Sequence, residues 1–225
     1  MESTASIVDF VRSLASSHEV QAIAERIVSH VERTLQDRTD QVHMVVFGLG
    51  SLTTEHSARI SRFQLALFER IASCAEDNET SVSKYAVDPL FTEQDNTILS
   101  ILGYSILQAQ ESCMPSLFLN LQECDRVICY LPHLPLHLVL SALLSAPSGS
   151  VFLCPSIKKV LELELLADPN SQLRHLSTKL KKLWEESNDY NWLKNNVITI
   201  QPITETELLA GANMAYSCTS VYVRP

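Results

Sequence analysis

Three short stretches put residues capable of chemistry where the chain reads as strand ends. Met44-Val45-Val46-Phe47 runs into Gly48-Leu49-Gly50-Ser51, a turn whose backbone amides could hold a phosphate or a carboxylate. The complete dinucleotide fingerprint needs a third glycine three residues on, where this chain has Thr53. A tight turn that needs glycine dihedrals therefore stands level with a ligand loop, and a standard NAD site stands below both. Asp88-Pro89 closes a second strand. An acid there can take a ribose hydroxyl, but the favoured reading is a turn in which Asp accepts backbone amides and Pro presets the bend. Pro132-His133 closes a third, and His133 is the best single candidate for a general acid/base, a ligand contact or a metal ligand, although a lone loop histidine is more often merely hydrogen-bonded. His137 follows four residues later, but Pro135 interrupts the helix that would align the two, which argues against zinc. Ser51 is a conceivable nucleophile with no base assigned to it. The chain carries no Gly-x-Ser-x-Gly elbow, no P-loop and no zinc spacing.

Hydrophobic periodicity supplies the elements that must position these residues. Residues 5–36 read as two amphipathic helices, with Ile7, Phe10, Val11 and Leu14, then Ile23, Ile27, Val31 and Leu35, as their apolar stripes. Strands are expected at 42–47, 83–88, 104–107, 126–131, 150–154, 197–200 and 217–223. Helices are expected at 57–74, from Thr92 to Gly103, from Leu136 to Leu144, at 157–166 and 171–186, with a short helical stretch at 205–210. Thr92-Glu93-Gln94-Asp95 is close to a capping box, with Asp where Glu is usual. The alternation predicts an α/β fold: a largely parallel, doubly wound Rossmann-like sheet with helices on both faces and an N-terminal helical leader. Residues 1–40 are read as leader helices packed on the core, and 41–225 as the α/β domain.

Composition narrows the class. The 225 residues are 46% hydrophobic and 19% charged, ordinary for a globular protein, and carry a formal charge of −9. That charge argues against nucleic acid or an anionic membrane surface as the main partner. Lys179, Lys181 and Lys182 read as a solvated helix face. The first residues lack a signal-peptide pattern, and Leu134 to Ala146 is too short to span a bilayer. Six scattered cysteines without a CxxC pair read as reduced thiols, pointing to a cytoplasmic location with the nucleus as a second compartment. Cys154-Pro155 and Cys113-Met114-Pro115 resemble the Cys-Pro elements of some haem-sensing proteins, though a buried thiol explains Cys154 equally well.

Several motifs together resemble one family. They are Phe47-Gly48-Leu49-Gly50-Ser51 with Arg62-Phe63-Gln64-Leu65-Ala66-Leu67; Asp88-Pro89-Leu90-Phe91-Thr92; Leu102-Gly103; Tyr130-Leu131-Pro132-His133; and Tyr216-Ser217-Cys218-Thr219-Ser220. In order and over residues 42–223 they are similar to the Sensitivity-to-Red-light-Reduced (SRR-like) domain family. The resemblance implies a regulatory role tied to circadian timing, light signalling or haem biosynthesis, with no established catalysis. The family's Met-Pro-His-Cys is here Leu131-Pro132-His133-Leu134, its Gly-Asn-Ser-Phe is Cys154-Pro155-Ser156-Ile157, and its closing Asn-Asp is Ser217-Cys218. A thiol and a carboxylate are thereby lost from strand ends.

The candidate ligand-binding set is Gly48, Gly50, Ser51, Gln64, Asp88, Glu111, Pro132, His133, Thr219 and Ser220. The first reading is a non-enzymatic regulator that binds a small ligand or a protein partner, with haem the lowest-ranked ligand, through Cys154 or His133. The alternative is an enzyme acting on a nucleotide or phosphorylated metabolite. In it Gly48 to Ser51 hold the anion, Asp88 holds a hydroxyl and His133 moves a proton.

Overall fold

The computed structural model describes residues 2–34, 41–55, 57–76, 81–107, 126–132, 134, 136–147, 149–155, 182, 198–199 and 219–223. In chain order they form α1 (Thr4–Ala15), α2 (His18–Thr34), β1 (Gln41–Phe47), α3 (Ala58–Glu76), β2 (Ser81–Val87), α4 (Glu93–Ile101), β3 (Tyr104–Ile106), β4 (Arg126–Tyr130), α5 (Leu136–Ser145), β5 (Val151–Pro155), β6 (Ile198–Thr199) and β7 (Thr219–Val223). Glu111, His133, the haem-type Cys113-Met114-Pro115 and the expected helices at 157–166, 171–186 and 205–210 lie outside the described residues.

One sheet runs in the order β3-β2-β1-β4-β5-β7-β6. Strands β1 to β5 pair in parallel, and β7 lies antiparallel between β5 and β6. The order reverses between β1 and β4, which makes their carboxyl ends the switch point where open α/β sheets collect ligands. Alternation along the strands splits the core into two layers. Met44, Val46, Ile128, Tyr130, Val151 and Leu153 share one with α1 to α4. Val45, Phe47, Val127, Cys129, Phe152 and Cys154 share the other with Val139, Ala142 and Leu143 of α5. Helices therefore cover both faces, which is why β1 and β4 read as unbroken apolar runs.

The leader helices share the first layer. Ile7, Val8, Val11 and Leu14 of α1, and Val20, Ile23, Ala24, Ile27 and Val31 of α2, join the cluster that holds Phe63, Leu67 and Phe68 of α3. Each such aliphatic side chain contributes about 2 kcal/mol on burial, so four on α1 offset the cost of ordering a helix too short to persist alone. Ser3 caps α1, its side chain accepting from the Ser6 amide at 3.2 Å. Gly103 follows the cap of α4 at φ 85, the left-handed residue expected there. Strand β2 ends at Val87, one residue before the expected boundary, so Asp88 belongs to the loop.

Candidate functional site

The loop after β1 is built by two left-handed glycines, Gly48 at φ 68 and Gly50 at φ 78. The Gly48 amide donates to the Val87 carbonyl at 3.1 Å, carrying the β1–β2 ladder one step beyond the strands. The Gly50 amide donates to Asp88 Oδ2 at 2.7 Å, and the Leu90 amide donates to Asp88 Oδ1 at 2.8 Å. Both glycine amides expected to be free for an anion are therefore engaged within the chain. One of them holds a carboxylate that the protein itself supplies. The turn reading of this loop accounts for both amides, and the parallel β1–β2 register is what delivers Asp88 beside Gly50.

Ser51 is also held, being 2% exposed. Its hydroxyl donates to Asp95 Oδ2 at 2.8 Å and accepts from the Thr53 and Thr54 amides at 3.2 and 3.1 Å. A hydroxyl with that many backbone obligations shapes a turn and is not poised as a nucleophile. Asp95 is the larger surprise. It is fully buried, and beyond Ser51 it accepts from the Leu52 amide at 2.9 Å, Thr53 Oγ1 at 3.1 Å, the Thr92 amide at 2.8 Å and Thr92 Oγ1 at 2.9 Å. The capping box is thus complete with Asp in place of Glu, and the same carboxylate ties α4 to the loop after β1. The box was visible in the sequence. Its second function was not, since the partners lie more than forty residues away.

Arg62 secures the outer side of the loop. Its Nε donates to the Leu52 carbonyl at 2.8 Å, and its Nη1 meets Glu2 Oε2 at 2.6 Å. Gln94 Nε2 donates to the Glu2 carbonyl at 3.1 Å, so the residues before α1 lie strapped across the loop. The Arg62 guanidinium holds the Glu2 carboxyl below its ordinary range. A depressed carboxylate pKa means that the contact is complete above the ordinary Glu value and is lost as pH falls through the lowered one. A titration followed by NMR at the Glu2 side chain should therefore show its midpoint below that of a free glutamate, moving up towards the ordinary value in Arg62→Ala.

Topology gathers most of the remaining candidates at the same sheet edge. Because β1, β2 and β4 are parallel, residues 48–50, 88 and 131–132 all leave the sheet at one end. β7 runs the other way, so Thr219 and Ser220 enter at that end, paired with Pro155 and Cys154. Pro132 is buried, and His133 follows it directly. Gln64, only 2% exposed, is enclosed by the α3 packing. Cys154 does not fit a haem ligand. It is fully buried, and burial pushes its thiol far above the ordinary range, with the neighbouring Cys129 adding to the effect, so the thiolate needed for ligation is disfavoured.

Asp88→Asn tests the self-filled cradle. An amide can accept at only one of its two heads, so one of the two backbone N–H groups loses its acceptor, and stability should fall by about 1–2 kcal/mol in urea denaturation. An unchanged midpoint would show that the loop holds its shape without the carboxylate.

The sequence profile of the SRR1 domain matches residues 21–223. The chain belongs to the SRR1 domain family. Helix α1 and the Glu2 strap precede the matched residues, whereas the Gly48–Ser51 loop, Asp88, Asp95 and Pro132 all fall within the SRR1 domain. No curated relative matches the chain. Among solved structures it is similar to an O-methyltransferase from Bacillus cereus in complex with SAH, at 9% identity and TM-score 0.47, covering 96% of this chain and 89% of that one. It is also similar to a putative O-methyltransferase from Klebsiella pneumoniae, at 9% identity and TM-score 0.46, covering 97% and 90%. No helix among the described residues is long and apolar enough to cross a membrane.

Proposed function

We propose that this SRR1-domain protein is a regulator that binds a small hydroxylated ligand at the carboxyl edge of its sheet and carries out no reaction on it. The observation that supports this reading is the Asp88 carboxylate seated on the Gly50 amide at 2.7 Å. A second anion at that point meets a negative charge and no free Gly50 amide, so phosphate is disfavoured. Each carboxylate oxygen keeps a lone pair beyond its backbone bond, and a hydroxyl or ammonium donor can use it. The place of Ser51 in the turn, its hydroxyl committed to Asp95, weighs against nucleophilic catalysis. Family resemblance extends the reading to clock-, light- or haem-biosynthesis-linked regulation, in the cytoplasm with access to the nucleus.

The test is a thermal-shift comparison of adenosine, as a neutral hydroxylated probe, with inorganic phosphate, each followed by product analysis. A ligand at a hundredfold excess over its dissociation constant stabilises the native state by about 2.7 kcal/mol. Adenosine should raise the midpoint and be recovered unchanged, and phosphate should do nothing. Stabilisation by phosphate that disappears in Gly50→Ala would overturn the assignment of ligand class. Turnover of adenosine would overturn the non-catalytic part.

A further inference from the structure

Outside the loop lies a groove of about 360 Å³, between α1 and the first turns of α3 and α4. That volume is at the lower end for a small-molecule site. Ile7, Phe10 and Ala58 supply an apolar wall, and Arg59, Arg62 and Gln94 supply polar groups. Phe10 is 40% exposed, yet its ring is fixed edge-on against Phe63 at a centroid distance of 6.3 Å. A large aromatic face is thus held rigid beside the cavity. Arg62 is set in advance as well: the Leu52 carbonyl fixes its Nε, and the side chain is only 13% exposed. Arg59, one turn earlier on α3, is exposed and makes no ion pair among the described residues.

We propose that this groove binds a small organic monocarboxylate with an apolar body, and that Glu2 is its built-in competitor. The chain already places a carboxylate on Arg62, that of Glu2 at 2.6 Å. Glu2 is 43% exposed and lies ahead of the first helix, so it can be displaced without disturbing the core. A ligand carboxylate that takes its place gains Arg59 as a second cation, while Phe10 and Ile7 cover the ligand body. Glu55 also lines the groove, and once Glu2 is displaced it offsets one of the two arginines, which favours a single negative charge over a phosphate dianion. Ile7 and Phe10 lie before residue 21, so two of the three apolar wall residues fall outside the part of the chain that the SRR1 profile matches. The groove is separate from the Asp88 site and stands or falls independently of it.

Isothermal titration with phenylacetate tests the proposal on the full chain, with phenethylamine as the cationic counterpart. Glu2→Ala should tighten phenylacetate binding by about tenfold if Glu2 occupies Arg62 nine-tenths of the time. Arg59→Glu, an exposed change on α3, should abolish binding and leave the thermal midpoint unmoved. Phenethylamine should not bind. Failure of phenylacetate to bind Glu2→Ala at millimolar concentration would overturn the proposal, as would binding that Arg59→Glu leaves intact.

Discussion

Asp95→Ala is expected to cost about 4 kcal/mol of stability, the largest effect of any single polar change in the described residues. The carboxylate is fully buried and accepts from two backbone amides, Leu52 and Thr92, and from three hydroxyls, on Ser51, Thr53 and Thr92. The hydroxyls can rotate towards other acceptors, but the amides cannot. Each amide left without an acceptor in a dry site costs about 1–3 kcal/mol, before counting the loss of a charge-assisted network. A helix cap alone is worth about 1 kcal/mol. The excess above that figure in urea denaturation measures what Asp95 contributes to the loop after β1. Thr92→Ala, which removes the cap hydroxyl and its methyl but leaves the Asp95 carboxylate and its two amide donors in place, supplies the baseline. Near-equal losses in the two variants would show that Asp95 is a capping residue and nothing more.

What the sequence makes legible depends on distance along the chain. β1 and β4 were legible because burial on both faces leaves an unbroken apolar run, and the capping box at Thr92 was legible because its partners lie three residues apart. Gathering Gly50, Asp88 and Pro132 at one edge needed only the premise of parallel strands, and β1, β2 and β4 are parallel. The insertion of β7 between β5 and β6 was not legible, because nothing local to residues 219–223 names their neighbours. The same limit applied to the site. Read one at a time, the Gly50 amide and the Asp88 carboxylate both look available to a ligand. Folding makes them partners across 38 residues, and Arg62 and Glu2 partners across 60. Sequence patterns show which groups could do chemistry; only the register shows which of them have already satisfied one another.

Gly50→Val should cost about 3 kcal/mol and disable the loop without removing any side-chain contact. Two separate obstacles add. Gly50 sits at φ 78, where a residue with a Cβ is strained by about 1–2 kcal/mol and a β-branched one by more. A Cβ there would also lie 3.1 Å from Ser61 Oγ, and that hydroxyl cannot swing aside freely because it donates to the Leu49 carbonyl at 2.7 Å. Gly50→Ala should therefore cost about half as much as valine, and a double-mutant cycle can divide the two causes. In a Ser61→Ala background the contact is relieved while the dihedral strain remains, so the Gly50→Ala penalty should shrink but not vanish. Disappearance of the penalty would mean that the loop relaxes out of the left-handed region once the crowding is gone. The Gly50 amide would then turn away from Asp88, and the self-filled cradle would depend on Ser61 packing instead of on the glycine.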